Sequence, residues 1–273
     1  KWAGADVDSF IALQDQMINL ALTQSHRVPI KVHQMAMGII NRIKHRINKT
    51  WKPKTNEGSL HRHFEVDSVD MSSGQWLVLA RTNHMLQDIE DVLYRKGLYY
   101  KTKNKRNYEK DIQNAAANWE NLRKGHPLTY KQVEKIYGYM SPNHTDKSLL
   151  YGMTKGSFYN IDQLTKDFGL KTNQVWYEAF DDAGSRRVEY LRKMRANGEQ
   201  LNKEPRIELS TIHAAKGGES QNVVLLTDLT KTTLDGYEKN PDDENRLFYV
   251  GATRTKENLH IIEPKQYNKG FNI

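Results

Sequence analysis

IELSTIHAAKGGESQNVVLL, residues 207–226, decides the fold of this chain. It reads as a strand, a polar turn and a second strand. Ile207 and Leu209 lead into Ser210 and Thr211, and Val223–Leu226 is an unbroken apolar run. A strand without alternation is one covered on both faces, the habit of a parallel sheet with helices on either side. Between the strands stand Thr211, His213, Lys216, Gly217, Gly218 and Glu219. The two glycines allow positive φ, or close approach of a ligand to the backbone. The hydroxyls, His213 and Lys216 can reach phosphate or base edges, and Glu219 can accept hydrogen bonds from a sugar hydroxyl. The same residues also suit a solvated turn between buried strands. Composition alone leaves both readings open.

A second stretch separates them. ENRLFYVGATRTKENLHII, residues 244–262, places Leu247, Phe248 and Val250 on one helical face. Gly251 permits close packing, and Arg254 follows on a small-residue stretch. Together the two stretches resemble motifs V and VI of the UvrD/Rep-like superfamily 1 DNA helicases, in order and in spacing. KWAGAD (1–6) resembles the end of motif III, SHRVP (25–29) motif IV, and the β-α-β segment from LARTN (79–83) through RKGLYY (95–100) motif IVa.

The resemblance spans nearly the whole chain and implies an α/β fold: a RecA-like (P-loop NTPase-like) parallel sheet domain with a mostly helical insertion. It implies residues 1–20 as the end of a first RecA-like domain, 21–104 as the first part of domain 2A, 105–200 as a 2B-like insertion, and 201–273 as the second part of 2A. It also implies roles. Arg254 is expected as the arginine finger, and Arg27 as a second arginine on the γ-phosphate. Glu219 and Gly217 complete the ATP-binding set, with Glu219 on the ribose. Trp2, Arg81, Asn83, Thr211 and His213 are expected to contact ssDNA, with Trp2 stacking on a base. In one place the sequence departs from the family. Where members commonly carry Leu, Glu and an aromatic after AAKG, this chain has Gly218-Glu219-Ser220, keeping the acid and losing its apolar neighbours.

The remaining composition fits a nucleic-acid partner. Among 273 residues, Lys+Arg number 41 and Asp+Glu 33, a net charge of +8, which favours a polyanionic partner. There is no cysteine, so disulfides and thiolate metal sites are excluded, which fits a reducing compartment; the resemblance implies a cytoplasmic setting in a bacterial or phage-infected cell. No apolar run approaches the ~18–20 residues of a membrane span. His61-Arg62-His63 alternates like a strand, yet no cysteine or carboxylate set lies nearby at ligand spacing, so no metal site is expected. Residues 44–74 read as a basic, irregular surface loop.

WLVLARTN (76–83) reads as a buried strand ending in polar residues. It is followed by a helix with Leu86, Ile89 and Leu93 inward, Gly97 as its C-cap, and a short strand at Leu98–Tyr100. Strand signals then vanish until residue 207. Helical segments are expected at 109–123, 130–140, 161–168, 172–182 and 184–197, the last with the basic run SRRVEYLRKMR (185–195). That run suits a solvated face or a DNA-binding patch equally. The segment 229–243 reads as a polar loop, and the tail EPKQYNKGFNI as loose.

No GxxxxGK[ST] occurs, and GMTKGS at 152–157 has the wrong spacing. There is thus no cradle of backbone amides for the β- and γ-phosphates. Thr227-Asp228 ends an apolar strand, but Leu229 stands where a Walker B Glu would be. The expectation is the C-terminal motor half of an ATP-dependent DNA helicase acting in repair or replication. ATP and Mg²⁺ would be its ligands, with the Mg²⁺ ligands on a separate N-terminal RecA-like domain. Its partners would be single-stranded and duplex DNA and that first domain, and its direction 3′-to-5′. Alone, it is expected to be silent as an ATPase. The alternative is a non-enzymatic DNA-binding or protein-interaction module derived from a helicase.

Overall fold

The computed structural model describes residues 9, 12–13, 18, 20, 22–102, 108–200 and 203–273. Trp2 lies outside these. The chain divides into two compact units. One takes the described residues of Lys1–Val92, Tyr100–Lys103 and Arg206–Ile273, and the other those of Leu93–Tyr99 and Asn104–Pro205.

The first unit is built on strands β1 (Ser59–His63), β2 (Trp76–Ala80), β3 (Tyr100–Thr102), β6 (Ile207–Thr211), β7 (Ser220–Leu226) and β8 (Thr255–Ile262). They form one sheet in the order β1-β8-β7-β2-β6-β3, and every pairing is parallel. This is the parallel sheet expected from residues 207–226 and the α/β, RecA-like architecture that the resemblance implied. All of β2 is buried, as a central parallel strand must be. Leu77, Leu79, Val223, Leu225, Leu259 and Ile261 form a core on one face with Val32 and Ile39 of helix α1 (Ile30–Ile40) and Phe248 and Ala252 of helix α9 (Pro241–Ala252). Helix α9 opens with Pro241 and three acidic residues in its first turn. Both features favour a helix N-terminus, because proline has no orphan donor there and the carboxylates offset the dipole. Gly251 lets α9 approach closely: a Cβ there would meet Leu225 Cδ1 at 3.1 Å and Ile212 Cγ2 at 3.2 Å. Helix α2 (Asn83–Lys96) buries Leu86 and Ile89.

Three expectations for this unit are corrected. Within 44–74, Ser59–His63 is not loop but the edge strand of the sheet, paired with β8 over its whole length. Within 229–243, Lys231–Lys239 is helix α8. Although Gly236 lies within it, Thr230 Oγ1 caps the helix by accepting from Thr233 N at 3.3 Å, and Leu234 and Tyr237 pack on the core. Burial of that apolar pair outweighs the ~1 kcal/mol helix cost of a glycine. The tail is anchored: Phe271 is buried and stacks on Phe248 with centroids 4.0 Å apart.

The second unit is mainly helical: α3 (Tyr108–Arg123), α4 (Tyr130–Tyr137), α5 (Ile161–Asp167), α6 (Trp176–Ala179) and α7 (Ser185–Ala196). It also holds an antiparallel ribbon of β4 (Leu128–Thr129) and β5 (Phe158–Tyr159), too short for a sequence signal. The helix expected over 172–182 shrinks to α6 and a 3₁₀ turn at Asp181–Ala183. Ile112, Trp119, Leu122, Tyr137 and Phe180 are fully buried in this unit. Asn160 and Gln163 form a reciprocal capping box at α5, with bonds of 2.9 and 3.0 Å.

Candidate functional site

The two parallel strands β6 and β7 are separated by β2, so their link must run back along the sheet. Trp76 lies opposite both Ile207 and Asn222, and Ala80 opposite Thr211. The link from Thr211 to Ser220 therefore descends about 20 Å, or about 2.2 Å per residue. That is close to the ~2.0 Å rise of a 3₁₀ helix. The link's hydrogen bonds form a run of tight turns: Ala215 N donates to Thr211 O at 3.0 Å, Lys216 N to His213 O at 3.3 Å and Gly218 N to Ala215 O at 2.9 Å. Gly217 adopts φ +91°, which ends the coil, whereas Gly218 has no positive φ. A single segment thus begins at one end of the sheet and finishes at the other.

The residues expected to bind ATP gather where it finishes, at the N-terminal ends of β7 and β8. Arg27 Nη1 lies 3.5 Å from Glu219 Oε2, and Lys256 Nζ 2.6 Å from Glu219 Oε1. Arg254 donates from Nε to Val250 O at 2.9 Å and from Nη1 to Gly218 O at 3.3 Å. Its backbone carbonyl accepts from Ser220 N at 3.1 Å, so the loop bearing Arg254 and the link bearing Glu219 are tied directly. The hydrogen bond from Lys256 holds the Glu219 carboxyl below the usual carboxylate range, with the Arg27 charge adding to it. Burial lowers the Arg254 pKa, and the like charge of Arg27 lowers it further. Burial also raises the Tyr249 phenol, against the pull of both arginines. Arg27 Nε is buried without a hydrogen-bond partner. Two arginines and a lysine round one carboxylate make a surplus of positive charge, the field that an anionic oxygen cluster would relax. Lys256 and Tyr249 were not anticipated. The period of two that carries Lys256 beside Arg254 was the available signal.

Of the residues expected to bind ssDNA, Arg81, Asn83, Thr211 and His213 lie at the other end, at or beyond the C-terminal ends of β2 and β6. Asn83 is the exposed first residue of α2. Thr211 Oγ1 accepts from Ala214 N at 3.2 Å and so starts the link. Burial lowers the His213 pKa, and the nearby Arg81 charge adds to that. Arg81 itself grips Glu244 of α9 through two bonds, Nε–Oε1 at 2.6 Å and Nη2–Oε2 at 3.2 Å. Glu244 is buried and was not foreseen as a partner, since it lies 163 residues away in sequence. The next residue in sequence on each side of the pair also holds an unsatisfied atom: Thr82 Oγ1 and Asn245 Oδ1 are buried without hydrogen-bond partners.

Elsewhere in this unit His61, His63 and His260 stack across β1 and β8, with His63 Nε2 3.0 Å from His260 Nδ1. Among the described residues no group of three or more His, Asp or Glu side chains is arranged to hold a metal ion, and no helix is long and apolar enough to cross a membrane.

No curated protein matches the chain. Residues 186–266, from α7 through β8, match the family described as the UvrD-like helicase C-terminal domain. That span contains Glu219, Arg254 and the link between β6 and β7. The chain therefore carries a UvrD/Rep-like helicase C-terminal region.

Proposed function

We propose that this chain is the C-terminal motor half of an ATP-dependent DNA helicase, forming one wall of an ATP site that a second RecA-like domain completes. The observation that carries the reading is the convergence of Arg27 and Arg254 around Glu219 at one end of the sheet. In this reading Arg254 stabilises charge on the transferring phosphoryl group and Arg27 contacts the γ-phosphate with its planar fork of donors. Glu219, released from Arg27 as the phosphate takes that partner, turns to the ribose, and Gly217 gives the link its bend. The P-loop, the Mg²⁺ ligands and the water-orienting base belong to the first RecA-like domain, of which residues 1–20 form the end. Residues 21–104 and 201–273 are then domain 2A, and 105–200 a 2B-like insertion.

Arginines acting across a domain interface reach the phosphate only when the cleft closes, which couples hydrolysis to domain motion. At the opposite end of the sheet, Asn83, Thr211, His213 and Arg81 contact ssDNA; Trp2, outside the described residues, is the residue proposed to stack on a base. The link between β6 and β7 touches both ends, so it is the part of the chain able to pass a change at the phosphate to the strand. The direction is 3′-to-5′.

The test is ATP turnover with and without ssDNA, on this chain alone and on a protein carrying both halves. The chain alone is expected to be silent, and the two-half protein ssDNA-stimulated. Arg254→Ala should lower turnover about 10³-fold or more. Turnover indifferent to Arg254 while ssDNA binding persists would leave a binding module in place of a motor.

A further inference from the structure

The helical unit holds a cationic, aromatic groove that the proposed motor does not use. It lies between α6 and the C-terminal half of α7 and measures about 510 Å³. That falls within the ~300–1,000 Å³ of clefts that enclose a small ligand. Its walls are Trp176, Tyr177, Glu189, Arg192, Lys193 and Arg195. The sequence of α7 explains the placement. Tyr190, Leu191 and Met194 are buried on one side of the helix. Glu189, Arg192 and Lys193, spaced three and four apart, share the other side.

The cations are held in a particular way. The Arg192 guanidinium sits 4.4 Å over the Tyr177 ring, and that of Arg195 4.9 Å over Trp176. A cation–π contact uses the face of the guanidinium and leaves its in-plane N–H donors for an anion. Glu189 is taken by Lys193 at 2.8 Å. Glu120, the other carboxylate acting on Arg195, is already bonded to Arg123 Nη1 at 2.7 Å and Trp176 N at 2.9 Å. Three cations against one lining carboxylate leave the groove positive. The carbonyl end of α7 opposes an anion only weakly, because a helix terminus carries a partial charge whereas each of the three cations carries a full one.

We propose that this groove binds a segment of single-stranded nucleic acid, with phosphates on Arg192 and Arg195 and a base against Tyr177 and its stacked guanidinium. Single strands are favoured over a duplex because a base can reach a ring or guanidinium plane only when unstacked. An anionic peptide would satisfy the charges but not use the exposed Tyr177 ring.

The experiment uses the chain as it stands and needs no ATP, so its outcome is separate from that of the motor reading. A short oligothymidylate carrying 5-iodouracil is photo-crosslinked to the unmodified chain and the adduct mapped by mass spectrometry. Adducts are expected at Tyr177 or Trp176, and adducts confined to other segments overturn the proposal. In parallel, affinity for the oligothymidylate is measured by fluorescence anisotropy over a range of salt. Tyr177→Ala should weaken binding about fivefold or more. Arg192→Ala should flatten the dependence of log K on log salt by about 0.7, the loss of one phosphate contact on a single strand. Lys131→Ala, an exposed charge on α4 in the same unit, should leave that slope unchanged. If it moves the slope as much as Arg192→Ala does, the attraction is diffuse and the groove is not a site. Thermal unfolding of each variant confirms that it is folded, and the crosslink map on the unmodified chain decides the matter where one is not.

Discussion

Arg81 illustrates how one residue can serve two ends. Its position after β2 marks it for a ligand, since open α/β sheets bind at the carboxyl ends of their strands. Yet its side chain is committed to Glu244, with the pair only 20 % and 7 % exposed. Removing one partner of such a pair leaves a charge with little water and no counterion. Arg81→Ala is expected to cost about 3 kcal/mol, the low end for a broken buried pair because Arg81 retains some solvent. Adding Glu244→Gln should recover more than half of it, as the stranded charge is gone. Urea unfolding of the two variants measures both. Unchanged stability in Arg81→Ala would mean that the pair contributes nothing to the fold. Glu219 is the contrasting case. It is exposed and shared between Arg27 and Lys256, so its contacts are weak enough to exchange for a ligand.

At the scale of elements, the β1 edge is the pH-sensitive part of the sheet. His260 of β8 is pushed down to about 4, first by burial and then by His61 and His63. His63 is also lowered, by burial and by His61. A folded-state pKa below the unfolded value of 6.5 means that the unfolded chain binds more protons between those limits. Stability therefore falls as pH drops from about 6.5 towards 4 and is fully present above that window. The His63–His260 bond needs one neutral acceptor nitrogen, which protonation removes. Denaturant midpoints should decline between pH 6.5 and 5, where ordinary carboxylates are still largely ionised. His260→Gln should flatten that decline, and an equal slope in the variant would place the sensitivity elsewhere.

At the scale of the molecule, the second unit is almost one continuous piece of chain, Leu93–Tyr99 with Asn104–Pro205. It has its own core round Trp119, Tyr137 and Phe180 and its own capping box. The end of α2 belongs to it through Gly97, whose φ of +67° and missing Cβ admit Lys193, which a side chain would meet at 2.3 Å. Tyr190 Oη donates to Leu98 O at 2.8 Å beside it. A polypeptide of residues 93–205 is therefore expected to fold alone, giving a helical far-UV circular dichroism spectrum and a cooperative thermal transition. A broad, non-cooperative melt would show that its core depends on the rest of the chain.

The sequence by itself determined the parallel sheet, because buried strands read as apolar runs, and the helicase likeness, because motifs V and VI are short and contiguous. It also placed Gly97 and Gly251, whose lack of a side chain has a local signature. Other features were decided only by tertiary structure. Pro241 and the acidic residues after it read as the end of a polar loop, yet they open α9, and nothing local announces the seat of Glu244 against Arg81. Ser59–His63 carries too little apolar pattern to announce a strand, and the backbone of β8 makes it one. Phe271 turns an apparently loose tail into part of the core, because a single stacked aromatic outweighs its polar neighbours. Most of all, the division of the candidate residues between the two ends of the sheet arises from the winding of the link between β6 and β7. A sequence states which residues are near in the chain, whereas the ~20 Å descent of that link is fixed by the strands packed on either side of it.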